Sequence, residues 1–218
     1  MAARDYGQYG GITRALELVG ERWALFIVRD LLVGPRRYGE LAAGLPRIPS
    51  NILAARLKEL QAAGIIRRAP RSRVIVYELT PYGRELEPVV LALGAWGFKT
   101  LGDPREEQII TPDSMTMDLR TAFRPLVAAD LPRTAYAAHL GAAELLIRVD
   151  GSSLDVMRGD VTRGDGPVDL AFTAGPGIHR LISGELAPER AIATGEVEVL
   201  HGRGDLLDRF ASTFHLAA

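Results

Sequence analysis

At 218 residues with 47% apolar content, the chain can bury one ordinary core or two small ones, which excludes disorder as a starting point. It contains no cysteine, which removes disulfides, thiolate zinc sites and thiol-based redox sensing. The formal net charge of -1 hides an asymmetry: residues 1–102 hold 15 Arg and Lys against 9 Asp and Glu, whereas residues 103–218 hold 11 against 18.

A basic half beside an acidic half suggests one module made for a polyanion and another that avoids it. No apolar run reaches the ~18 to 20 residues of a membrane span. The opening MAARDYGQYGG lacks the basic start and apolar core of a signal peptide. A cytoplasmic protein without a membrane partner is expected.

In chain order, Ile12, Leu16 and Val19, then Leu25, Ile27, Val28, Leu31 and Leu32, recur at helical spacing interrupted near Gly20, which predicts two helices with a kink. Tyr38, Leu41 and Leu45 form a short third face that Gly44 and Pro46 stop. Pro49 and Ser50 suit a helix entry and Gly64 a C-cap, so a fourth helix follows with Ile52, Leu53, Leu57 and Leu60 inward. Residues 65–68 and 74–79 predict a hairpin around a Pro-Arg-Ser tip, and four of the seven residues from Arg67 to Arg73 are arginine. Thr80 as N-cap and Pro81 in the first turn open a last helical stretch with the stripe Leu86, Val89, Val90, Leu93 and Trp96. Pro88 within it marks a bend or a late start. Helix, helix, helix, hairpin, helix is the winged helix-turn-helix order.

The stretch from RALELVGERW through GPRRYGEL, ARLKEL and YELTPYGREL, with a Gly-x-x-Trp element at 20–23, resembles the HxlR-type winged-helix regulators, relatives of the MarR group, over roughly residues 10–98. The resemblance implies DNA binding and dimerisation through the terminal helices. It departs at Gly10, where many members carry a cysteine, so thiol sensing does not carry over.

Residues Ser50, Asn51, Ala54 and Ala55, at the outward N-terminal part of the fourth helix, can approach base edges in a major groove, with Arg56 and Lys58 reaching phosphate or guanine. On the hairpin, Arg71 and Arg73 at the wing tip and Arg67 and Arg68 at its base are candidates for the minor groove and its phosphates. Arg36, Arg37 and Arg47 are weaker backbone candidates. Two-fold dimers read paired half-sites, so the expected partner is a palindromic double-stranded operator. The Leu86, Val89, Val90, Leu93, Trp96 stripe, with the apolar side of residues 12–18, is the expected homodimer contact.

From Asp103 the composition turns acidic and the pattern changes, which divides the chain into domains at 1–102 and 103–218. Residues 116–127 suggest a helix. RTAYAAHLG, ELLIRVDGSSLDVMRGD and VDLAFTAG read as strands, with Asp150-Gly151 as a hairpin turn. Helices at 176–183 and 188–193, a strand at 196–200 and a final helix at 204–214 complete an α+β domain. Residues 115–216, most clearly after Val168, resemble sterol-carrier-protein-like domains, which enclose an apolar tunnel. That resemblance implies a small hydrophobic ligand. The candidate lining is Phe123, Leu126, Tyr136, Leu146, Val156, Phe172, Ile178, Leu181, Ile182 and Phe210, and filled core is the competing reading.

Catalysis finds little support. His139, His179, His201 and His215 stand singly without metal-ligand spacing. DGSSLDV lacks the Gly-x-Ser-x-Gly elbow. The Gly202-x-Gly204 pair has Leu207 where a dinucleotide motif places its third glycine. No enzyme, cofactor or metal is expected. The reading is an α+β chain, a winged helix-turn-helix domain followed by a sterol-carrier-like domain, acting as a dimeric transcription regulator modulated by a small hydrophobic ligand. Its rival is a lipid carrier or lipid-handling protein whose winged domain serves assembly or protein interaction.

Overall fold

The computed structural model describes residues 5–159 and 167–216, so Asp160, at the end of the third expected strand segment, lies outside them. The chain forms two compact units, Met1–Val90 and Leu91–Ala218, and the division falls inside one helix.

The first unit contains α1 (Gly11–Val19), α2 (Ala24–Val33), α3 (Tyr38–Gly44), α4 (Ser50–Ala62), β1 (Ile66–Arg71), β2 (Val74–Leu79), α5 (Pro81–Arg84) and the start of α6 (Glu87–Phe98). The expected kink near Gly20 is a full break. Trp23 caps α2 with φ 80, a conformation bulky side chains rarely adopt. Its ring is held between the Arg22 guanidinium at 5.2 Å and the Phe26 ring at 5.8 Å. Helix α4 stops where Gly64 takes φ 72, which lets the Ile65 N–H donate back to the Leu60 carbonyl at 3.0 Å.

Strand β1 runs further than residues 65–68. It continues to Arg71, which pairs with Val74 across a two-residue loop whose Ser72 has φ 55. The Arg36 backbone adds a short bridge to Tyr77 at the edge of the hairpin. Thr80 caps α5 by accepting the Gly83 N–H at 3.1 Å and donates its own hydroxyl to the Gly64 carbonyl at 2.6 Å. A Cβ at Gly83 would lie 2.1 Å from the Ile65 carbonyl oxygen, so only glycine lets α5 close on the start of the hairpin. The stretch expected as one helix from Pro81 divides: α5 ends at Arg84, and α6 starts at Glu87 with Pro88 in its first turn, the late start that proline favours.

The second unit contains the rest of α6, then α7 (Pro112–Ala122), α8 (Pro125–Ala128), β3 (Thr134–Leu140), β4 (Ala143–Asp150), β5 (Ser153–Arg158), β6 (Leu170–Ala174), α9 (Gly177–Ser183), α10 (Pro188–Ala193), β7 (Val197–Gly202) and α11 (Asp205–Thr213). The single helix expected at 116–127 is two. Pro125 disfavours helical backbone at Arg124, and Phe123 is extended and bridges to Phe214. The sheet has the order β5-β4-β3-β6-β7, antiparallel except for the central β3–β6 pair, which is parallel. Helices cover one face, where Met115, Leu119, Ile178, Leu181 and Leu207 pack on Tyr136, Leu145, Ile147 and Phe172. This is a two-layer α+β unit.

Phe210 occupies the centre of that layer. Its ring lies 5.3 Å from both Tyr136 and Phe172, edge-on to each, and 4.7 Å from Phe214. Of the ten residues expected to share one interior, Tyr136, Phe172, Ile178, Leu181, Ile182 and Phe210 belong to this buried cluster, with Phe123 and Val156 packed against it. Leu146 does not. It alternates with Leu145 and Ile147 and therefore lies on the other face of the sheet. Leu126 is 85% exposed on α8 and lines no interior at all. The Thr213 hydroxyl is buried with no hydrogen-bond partner among the described residues, and burial, offset in part by the neighbouring Thr134 hydroxyl, pushes the Tyr136 hydroxyl up to about 12.

Candidate nucleic-acid interface

Helix α4 buries Leu53, Leu57 and Leu60, and the same period turns Asn51, Ala54, Lys58 and Gln61 outward as one stripe, with Ser50 exposed at the entry. Tyr38 donates its hydroxyl to the Ser50 carbonyl at 2.9 Å and so ties the start of α3 to the start of α4. Beside the stripe runs a groove of about 420 Å³ lined by Tyr38, Ala54, Lys58, Gln61, Arg68 and Tyr77, among others. Arg68 and Tyr77 are directly opposed across the hairpin, with the guanidinium 5.9 Å from the ring centroid. Two cations, two phenols and one amide thus face an open channel with small aliphatic side chains on its wall.

Sequence reasoning placed every arginine of this region on the interface, and the structure divides them. Arg56 turns inward. Its side chain is 11% exposed and held by Glu21 at 3.4 Å and by Glu59, so it joins the α1–α2 corner to α4 instead of reaching out. Arg36 is buried because its backbone pairs with Tyr77 and its guanidinium donates to the Pro35 carbonyl at 3.0 Å. Ala55 is half-buried at the flank of the stripe. Arg37 and Arg47 are exposed.

The wing arginines separate by strand alternation. Arg67 and Arg71 lie on one face of the hairpin and Arg68 on the other. Arg67 donates from Nε to Glu78 Oε1 at 2.8 Å, with its Nη2 also 2.8 Å from that oxygen, and Arg71 donates from Nη2 to Glu78 Oε2 at 2.9 Å. Both arginine side chains are 62% exposed, whereas Glu78 is 7% exposed beneath them. The hydrogen bond from Arg71, then that from Arg67, holds the Glu78 carboxyl below its ordinary value of 4.5. A carboxyl lowered on folding contributes stability that is complete above the ordinary value and fades as pH falls through the lowered one, so the cluster stays intact at neutral pH. Arg73, in the loop, is exposed and carries no ion pair among the described residues.

Tyr38, Gln61, Tyr77 and Glu78 were missed in the sequence. Gln61 follows from continuing the Asn51, Ala54, Lys58 stripe by one turn. Tyr77 and Glu78 follow only from the hairpin register, which two-residue pairing across Ser72 and Arg73 sets.

Chemistry elsewhere is sparse. His179 Nε2 sits 3.1 Å from an Asp118 carboxylate oxygen, with its ring 5.6 Å from that of Phe98, a satisfied histidine that packs the end of α6. Among the described residues no group of three His, Asp or Glu could hold a metal ion, and no helix is long and apolar enough to cross a membrane.

Residues 18–104 match the family described as HxlR-like helix-turn-helix. An HTH-type transcriptional regulator of Mycobacterium tuberculosis is 43% identical over 96 residues, which are 43% of this chain and 60% of that protein, so the match spans less than two thirds of that relative. The HTH-type transcriptional regulator YvaP of Bacillus subtilis is 36% identical over 94 residues, 42% of this chain and 86% of YvaP. The solved structure of the regulator YtcD, a Bacillus subtilis protein, is 34% identical, covers 43% of this chain and 98% of its own, and superposes with a TM-score of 0.40. These relatives are regulators and not enzymes. The chain belongs to the HxlR-like helix-turn-helix family of transcriptional regulators.

Proposed function

We propose that the chain is a dimeric, sequence-specific DNA-binding regulator acting on a palindromic operator in the cytoplasm. The observation that carries this reading is the outward stripe of α4 beside a groove flanked by Lys58 and Arg68. A helix presenting Asn51, Ala54, Lys58 and Gln61 has the width to enter a major groove, where side chains read base edges while cations on either side meet phosphate. Arg73 at the wing tip supplies a further phosphate contact. Pairing is assigned to α6, an apolar helix that buries no residue: Val89, Leu93 and Trp96 are exposed on it and Val90 is half-buried, as is Leu86 just before it, and α1 exposes Ile12 and Leu16.

Fluorescence anisotropy with a labelled random duplex tests the cationic surface. Lys58→Ala, Arg68→Ala and Arg73→Ala should each flatten the slope of log affinity against log salt by about 0.9. Unchanged slopes in all three would return the winged unit to assembly or protein interaction, and the chain to the lipid-carrier class.

Modulation by a small hydrophobic ligand in the second unit is the second reading, supported by the sterol-carrier-like order of its elements and by the buried Thr213 hydroxyl, unpartnered among the described residues. Native mass spectrometry of the gently purified chain should then find a small molecule released from it, and an empty spectrum would leave the unit a purely structural or pairing role.

A further inference from the structure

The Glu78 cluster has a geometry that a simple solvated wing does not need. Arg71 belongs to the tip of the hairpin, opposite Val74, yet its guanidinium is anchored on Glu78, four residues nearer the base. The side chain must therefore fold back along the strand past Ala69 and Val76, and Val76 is buried although it lies on the hairpin. The two arginines are not held equally. Each donates one hydrogen bond to its own carboxylate oxygen, but Arg67 lies directly opposite Glu78 and brings a second nitrogen within 2.8 Å of that oxygen, whereas Arg71 reaches back from the tip with a single nitrogen. If Arg71 leaves, Glu78 keeps its pairing to Arg67 and is not stranded as an uncompensated charge, the outcome that makes breaking most inward ion pairs costly. Arg71 is the releasable partner and Arg67 the fixed one.

We propose that Glu78 is a specificity-determining residue, an internal rival to DNA phosphate that keeps Arg71 folded back on the wing until a duplex engaging the recognition helix exchanges it. The inference rests on the DNA-binding reading above. Glu78 holds the Arg71 guanidinium away from the tip and offsets its charge, so drawing Arg71 out onto DNA gains only the difference between two charge-assisted pairings. A random duplex offers phosphates alone. An operator adds base contacts made by α4, which place the wing against the backbone for long enough to make the exchange. Glu78 thus weakens binding to the many wrong sequences more than binding to the right one, which raises the ratio that matters in a genome.

The test uses the full chain and a labelled duplex of random sequence, titrated with salt. Glu78→Gln frees Arg71 for one more phosphate contact. It should bind about tenfold tighter near 50 mM salt, with a slope steeper by about 0.9, so that the gain shrinks to about threefold near 200 mM. Glu78→Ser should do the same, which guards against a folding defect peculiar to one variant. Adding Arg71→Ala to either should abolish the gain, and the loss caused by Arg71→Ala should be several-fold larger in the Glu78 variants than in the otherwise wild-type chain. The proposal is overturned by a gain that survives Arg71→Ala, by an unchanged slope in the Glu78 variants, or by an Arg71→Ala loss as large in the wild-type background as in the Glu78 variants. Absence of binding by wild type and every variant near 50 mM salt would sink the DNA-binding reading and this inference together. Binding by wild type with no response to Glu78 would sink this inference alone.

Discussion

With pairing through α6 as proposed, Leu93→Glu should leave a single chain of 23.6 kDa and lower affinity for a two-half-site operator by about a hundredfold or more. The side chain is exposed in the isolated chain, on the same face of α6 as Val89 and Trp96, so replacing it removes little packing within one molecule. A charge placed in the middle of a paired apolar surface must instead be desolvated, which pairing cannot offset. One winged unit then meets one half-site without the effective concentration that a tethered partner provides. Sedimentation should report the mass and anisotropy the affinity, while thermal unfolding should stay close to wild type. A dimer that persists in Leu93→Glu would remove α6 from the pairing surface.

The second large effect is Phe210→Ala. Truncating a buried phenylalanine costs about 3–5 kcal/mol. That is a large share of the about 5–15 kcal/mol that holds a typical domain together. Phe210 touches Tyr136, Phe172 and Phe214, so its removal opens the layer between α11 and the central strands at once. Hydrogen exchange should show amides of β3, β4 and β6 losing protection, with a lower denaturation midpoint. Leu126→Ala, at a residue also expected to line the interior, should change stability by less than about 0.5 kcal/mol because α8 holds it in solvent. Equal effects from the two would mean the aromatic layer is not the centre of this unit.

Local signals carried most of the element order. Pro49, Gly64, Thr80 and Pro81 mark ends that capping chemistry makes visible in one dimension, and α4 and β2 lie between the ends those signals mark. Pro88 and Pro125 show the limit of the same reasoning. A proline announces a break, but whether a helix starts late or divides depends on what its neighbours pack against. Side-chain partners were the least legible. The arginines of the wing look alike in the sequence, and only register decides that Arg67 and Arg71 share a face with Glu78 while Arg68 meets Tyr77. Arg56 sits two residues from Ala54 and from Lys58 of the outward stripe, and the carboxylates that turn it inward come from a corner thirty-five residues earlier and from the next turn of its own helix. The parallel β3–β6 pair was invisible for a related reason: no short-range signal joins strands separated by a whole hairpin.

That central parallel pair also sets an order of events during synthesis. The winged unit closes through neighbours in sequence, so it can complete itself as soon as its own residues have left the ribosome. The sheet of the second unit cannot. Its middle is joined only once β6 arrives, and Leu207, Phe210 and Phe214, which seal it, emerge later still. A nascent chain therefore carries a finished reader of nucleic acid while its partner unit is still an open, apolar hairpin, and a ribosome halted before α11 would release a molecule folded at one end and adhesive at the other.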